Sequence, residues 1–202
     1  MFACAIDWPG WLRSGKNEEG ALQALVAAAP RYLPVAEAAG LKFSVADARH
    51  IEVVERVKGS ATTDFGAPDR QVSGDAQRLS PKEIERINAL VAAAWKFFDV
   101  VVAAAPPTLR KGPRGGGRDR DQIVDHVLGA ECAYAPKFGV RLKQPDRADR
   151  AGVSAFRNTI LAGLRAVAAE PLTPLARWPP RYAARRIAWH VLDHAWEIED
   201  RS

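Results

Sequence analysis

Apolar residues recur every three or four positions in four long stretches between residues 80 and 202, the spacing of helices that bury one face. The first stretch carries Ile84, Ile87, Val91, Trp95, Phe98 and Val102 on its stripe. It opens on Ser80-Pro81-Lys82-Glu83, a serine N-cap with proline at the first helical position and glutamate at the third, and Pro106-Pro107 ends it. The second runs from about Asp119 to Ala135 and stops at Pro136. The third, from about Asp149 to Ala169, carries Val153, Phe156, Ile160, Leu164 and Val167. Pro171, Pro174 and Trp178-Pro179-Pro180 predict a stiff connection to the fourth, which spans about Arg181 to Glu199. Four consecutive amphipathic helices predict an up-down four-helix bundle over residues 80–202.

The pattern is different before residue 60. Phe2 to Leu12 reads as a strand interrupted at Trp8-Pro9-Gly10. Residues 18–29 follow a cap at Asn17 and place Leu22, Leu25, Val26 and Ala29 at helical spacing. Phe43 to Val57, rich in Val and Ile and broken around Asp47 to Arg49, reads as one or two strands. Residues 1–57 are thus expected to form a small β-α-β unit. Residues 58–79, with Gly59, Gly66, Pro68 and Gly74 among polar residues, read as a linker. The expected fold class is α+β, mainly α.

Composition narrows the function classes. With 202 residues, 48% hydrophobic and 26% charged, the chain has material for one good core or two small domains, and wholesale disorder is excluded. Cys4 and Cys132 make neither a disulfide framework nor a CxxC pair. A net charge of +5 favours anionic ligands but is too mild to argue for nucleic acid. The glycine-rich loop from Leu109 to Arg118 concentrates Arg110, Lys111, Arg114 and Arg118, with Arg120 just beyond it. It reads either as a solvated connection or as an anion-binding flap, and it lacks the interleaved aromatics of a single-strand binder. No basic segment followed by an apolar run opens the chain, and no stretch reaches the apolar length needed to cross a bilayer. The expectation is a cytoplasmic protein without membrane or nucleic-acid partners, for which a homodimer is compatible.

The candidate chemistry lies in the histidines. His190 and His194 are four residues apart, so one helix face presents both imidazoles, on a stripe with Ile187, Val191 and Ile198. His126 lies on a matching stripe with Ile123, Val127, Ala130 and Tyr134. All three therefore face inward, where each ring nitrogen needs a partner. Either they are core histidines bonded to backbone or carboxylates, or one divalent ion satisfies three nitrogens together. Zinc, nickel, iron and copper all suit imidazole. Val191 stands where a zincin motif needs its glutamate, so the pair is not that motif. Glu197, three residues after His194, is a candidate acceptor behind the site or a proton shuttle, or else a solvated helix carboxylate. Tyr134 is a candidate pocket residue or plain core. Asp125 and Asp193 point away from the stripe, His50 has no partner at metal spacing, and the six tryptophans read as packing residues.

The capped first helix, the histidine within the second and "HVLDHAWEIEDR" in the fourth resemble the DinB/YfiT-like four-helix-bundle proteins over residues 80–202. That resemblance implies a divalent metal held by His126, His190 and His194. It also implies activity of the kind some members have, thiol-dependent S-transfer with a low-molecular-weight thiol; activated water for hydrolysis is the other chemistry such a site permits. Residues 1–57 resemble the HicB-like antitoxin fold through "AIDWPGWLRSGKNEEGALQAL", without the DNA-binding tail such antitoxins carry. The alternative reading is a non-catalytic binding protein in which the HicB-like segment meets a partner and the bundle is scaffold.

Overall fold

The computed structural model describes residues 1–112, 117–169 and 178–202. The chain is mainly helical, with a two-stranded antiparallel sheet near its N-terminus. β1 (Phe2–Cys4) and β2 (Leu12–Ser14) pair Phe2 with Ser14, Ala3 with Arg13 and Cys4 with Leu12. Trp8-Pro9-Gly10 lies in the loop between them. Gly10 has φ +94°, and a Cβ there would sit 2.6 Å from Leu192 Cδ1. Both the dihedral and the close approach of this loop to the last helix therefore call for glycine.

α1 (Glu18–Ala27) starts at Asn17, whose side chain accepts the Gly20 N–H at 2.8 Å, and α2 (Ala29–Ala38) follows at once. α2 has no counterpart in the expected elements, because Pro30 and Pro34 read as breakers. Pro30 falls in the first turn, where no intrahelical N–H bond is lost, and Pro34 is exposed while Ala29, Tyr32, Val35 and Ala36 are buried. Residues 43–57 form no strand, contrary to expectation, so the N-terminal unit is β-β-α-α and not β-α-β. β1 takes its ladder from its sequence neighbour β2. The Val/Ile-rich segment docks through side chains instead: Phe43 lies 4.9–5.3 Å from the rings of Trp8, Trp11 and Tyr32, and Arg56 is bonded to Glu18. β-propensity without a partner edge does not make a strand.

Residues 58–79 are more than a spacer. They hold α3 (Ala61–Asp64), capped by Ser60, and are fastened to the last helix. Asp75, only 1% exposed, accepts from both terminal nitrogens of Arg185, and the Pro68 carbonyl accepts from Arg186 Nη1 at 3.0 Å.

The four long helices, α4 (Pro81–Ala104), α5 (Arg120–Tyr134), α6 (Arg150–Ala169) and α7 (Pro180–Arg201), begin and end within about two residues of expectation. Pro171, Pro174 and Arg114 lie outside the described residues. α4 and α7 share the most extensive contact; α5 and α6 also pack on α7, α6 packs on α4, and α2 covers another part of α4. α7 is thus buried on nearly every side, and one hydrophobic core runs from Trp11 in the N-terminal unit to Ile198. Contrary to the expectation that no stretch has membrane-spanning length, α4 is long and apolar enough by length and composition. In this fold it buries Ile84, Ile87, Val91, Trp95 and Phe98 in the core.

One carboxyl sits inside that core. Glu131 is 1% exposed; Trp95 Nε1–H donates to its Oε1, and Oε2 has no partner among the described residues. Burial pushes its pKa up to about 7, against the opposing pull of the Arg157 guanidinium. Its folded pKa therefore lies above the unfolded value of about 4.5, and the folded state keeps a proton that the unfolded state releases. Stability falls as pH rises through the window from 4.5 to about 7, by about 3 kcal/mol in all. Glu131→Gln keeps the acceptor for Trp95 and removes the titration. Urea unfolding of this variant is expected to show a flatter pH profile across that window, and an unchanged slope would contradict the assignment.

Candidate metal centre

α5 and α7 pack side by side and bring His126, His190 and His194 together. The matched stripes explain why: each histidine lies in register with residues buried in the α5–α7 contact, Ile123 and Val127 on one helix, Ile187 and Val191 on the other. Ring centroids are separated by 4.6 Å (His190–His194), 4.9 Å (His126–His194) and 5.0 Å (His126–His190). One ring nitrogen from each lies within 4.8 Å of the other two. His126 Nε2 and His190 Nε2 are 3.2 Å apart. Nitrogens sharing a tetrahedral zinc ion at bonds of about 2.0–2.1 Å stand roughly 3.3 Å apart. That pair is therefore already at ligand spacing.

The electrostatics favour the neutral form at two of the three histidines. Burial pushes the pKa of His190 down to about 2, and the positive ends of His194, His126, Arg186 and Arg118 act in the same direction. His126 is also lowered, first by burial and then by His194 and Arg118. A neutral imidazole is the form that donates a lone pair. His190 Nδ1 is buried with no partner among the described residues.

His194 is oriented from behind. Its Nδ1 lies 2.8 Å from Glu197 Oε2. A carboxylate only accepts, so Nδ1 carries a proton and Nε2 is the nitrogen left for a ligand bond. That bond holds the Glu197 carboxyl below its usual range, and Arg201 Nη1 donates to Glu197 Oε1 at 2.6 Å. Glu197 therefore takes the position of acceptor behind the site, bonded on both oxygens.

Tyr134 lies with its ring 5.9 Å from that of His190, and its hydroxyl accepts from Arg186 Nη2 at 3.4 Å. Asp125 pairs with Arg147 at 2.8 Å and His50 is exposed, while the Asp193 carboxyl, its pKa raised first by burial, lies within electrostatic reach of His194 and Arg13. Three cations of the glycine-rich loop region tie it down: Arg110 bonds the Asp200 carbonyl, Lys111 lies 3.6 Å from Asp119, and Arg120 bonds the Ala105 carbonyl and Asp121, while Arg118 is exposed and its charge reaches His126 and His190. Sequence reasoning passed over Arg186, one turn before His190 and 6% exposed. Its signal was available: Arg186, His190 and His194 fall at i, i+4 and i+8, which places an arginine on the same inward register.

Fold and cluster together define a mainly helical protein with three convergent histidines that can hold one ion through three nitrogens. No protein-family model, curated protein or solved structure matches the chain.

Proposed function

We propose that residues 80–202 form an up-down four-helix bundle of the DinB/YfiT-like kind, and that the protein binds one divalent ion at His126, His190 and His194. The ion is zinc, nickel or iron, and the proposed activity is activation of a low-molecular-weight thiol for S-transfer or of water for hydrolysis. The observation that carries this reading is the convergence of three imidazoles from two helices, with two Nε2 atoms 3.2 Å apart. The Glu197 carboxylate behind His194 adds support, because a metal-bound histidine ordinarily donates its other N–H to such a group. A divalent ion bound there lowers the pKa of a coordinated water or thiol toward neutrality. The chain's own part is to hold the proton on His194 Nδ1, fix that ring through Glu197 and Arg201, and keep His190 neutral by burial. Tyr134, beside His190, lines the approach on the Arg186 side.

Elemental analysis of untagged protein, purified without added metal, tests the reading. About one ion per chain is expected for the wild type and none when His126, His190 and His194 are all changed to Ala. A metal content unchanged in the triple variant would overturn it.

A further inference from the structure

A cavity of about 1330 Å³, with Arg186 on its lining, opens among the N-terminal hairpin, α1, the segment from residue 41 to 72 and the first turns of α7. It exceeds the roughly 300–1,000 Å³ usual for small-molecule sites. Its partly exposed apolar lining comes from Phe2, Ile6, Leu22, Phe43, Ile51 and Val53. The acidic side chains on its lining are exposed or half-buried, and Glu18 and Glu55 are already bonded to Arg56 and Ser73.

Two buried arginines of α7 complete the wall, and they differ in one respect. Arg185 is neutralised by Asp75. Arg186 has no carboxylate within ion-pair distance among the described residues. Its hydrogen bonds go to neutral acceptors, the Pro68 carbonyl and the Tyr134 hydroxyl, and its Nε is buried without a partner. The rings of Tyr134, Trp178 and Trp189, 5.0–5.9 Å from its Cζ, solvate the cation without cancelling its charge. A buried charge that lacks a counter-ion is costly, and an apolar cavity with such a cation in its wall is complementary to an anion carrying an apolar body.

We propose that this cavity binds an organic acid with an apolar body, the carboxylate pairing with Arg186 and the body lying among the hairpin, α1 and residues 43–53. The site does not depend on the metal reading, and metal content measured on the same sample keeps the two separable.

Isothermal titration calorimetry of the full chain with decanoate tests it, with decanol and acetate as probes lacking the charge or the body. One decanoate per chain is expected, with decanol and acetate each at least tenfold weaker. Arg186→Gln is expected to weaken decanoate at least tenfold and to leave decanol unchanged. Ile51→Trp, at a half-exposed position on the lining, is expected to weaken decanoate by obstructing the cavity. Absence of saturable decanoate binding overturns the proposal, as does decanol binding equal to decanoate or full affinity in Arg186→Gln. Should Arg186→Gln fail to fold, the comparison of acid with alcohol on the wild type decides.

Discussion

Adding a divalent ion to metal-free protein is expected to raise its melting temperature by about 5–10 °C, and His190→Ala is expected to abolish that rise. The size follows from linkage: free ion at about a hundred times its dissociation constant stabilises the folded state by roughly 2.7 kcal/mol, and each kcal/mol moves the midpoint of a chain this long by about 2–4 °C. His190 is the member to remove, because it is the most buried of the three and its Nε2 lies 3.2 Å from His126 Nε2. Deleting it leaves two imidazoles on different helices. His50→Ala, at an exposed position remote from the cluster, serves as the control and is expected to keep the full rise. Differential scanning calorimetry of the three proteins, with and without ion, reads the outcome. An equal rise in His190→Ala and wild type would place the ion elsewhere.

The second large effect is expected at Asp75. Asp75→Ala should destabilise the fold by about 3–5 kcal/mol, the cost of leaving one partner of a buried ion pair alone. Arg185 is itself 7% exposed, so water cannot take over from the missing carboxylate. That loss is a large share of the roughly 5–15 kcal/mol that separates folded from unfolded domains. Replacing both partners with apolar residues, Asp75→Leu with Arg185→Met, should recover most of it, because no orphaned charge remains. Urea unfolding of the two variants measures both terms. A change within about 0.5 kcal/mol for Asp75→Ala, the range of an ordinary surface substitution, would show residues 58–79 to be the passive linker their composition suggests.

The histidines and Asp75 stand on opposite sides of what the sequence makes legible. The start of α4 was legible because its determinants are local: Ser80 and Glu83 cap each other across three residues, at 2.8 and 3.3 Å. The inward faces of His126, His190 and His194 were legible for the same reason, since helical register alone decides them. α2 was hidden by Pro30 and Pro34, whose tolerance depends on where in the helix each falls and on Pro34 facing solvent. The missing strand in residues 43–57 is a matter of absent partners, which no local propensity reports. Asp75 with Arg185, and Arg186 with Pro68 and Tyr134, are unions of residues distant in sequence, and only the packing of α7 brings them together.

The central position of α7 has a consequence for the order in which the chain can fold. The hairpin loop at Gly10, Asp75, the α4 stripe and His126 all find their partners on a helix that leaves the ribosome after them. At roughly 5–20 residues per second, about 10–40 s pass between the emergence of Gly10 and of Leu192. For the last roughly 4–18 s of it, after α4 is complete, the apolar side of that helix lacks its principal cover, and until α7 emerges His126 is the one member of the histidine cluster present. Folding is therefore a late closure around α7, the element that covers most of the apolar side of α4.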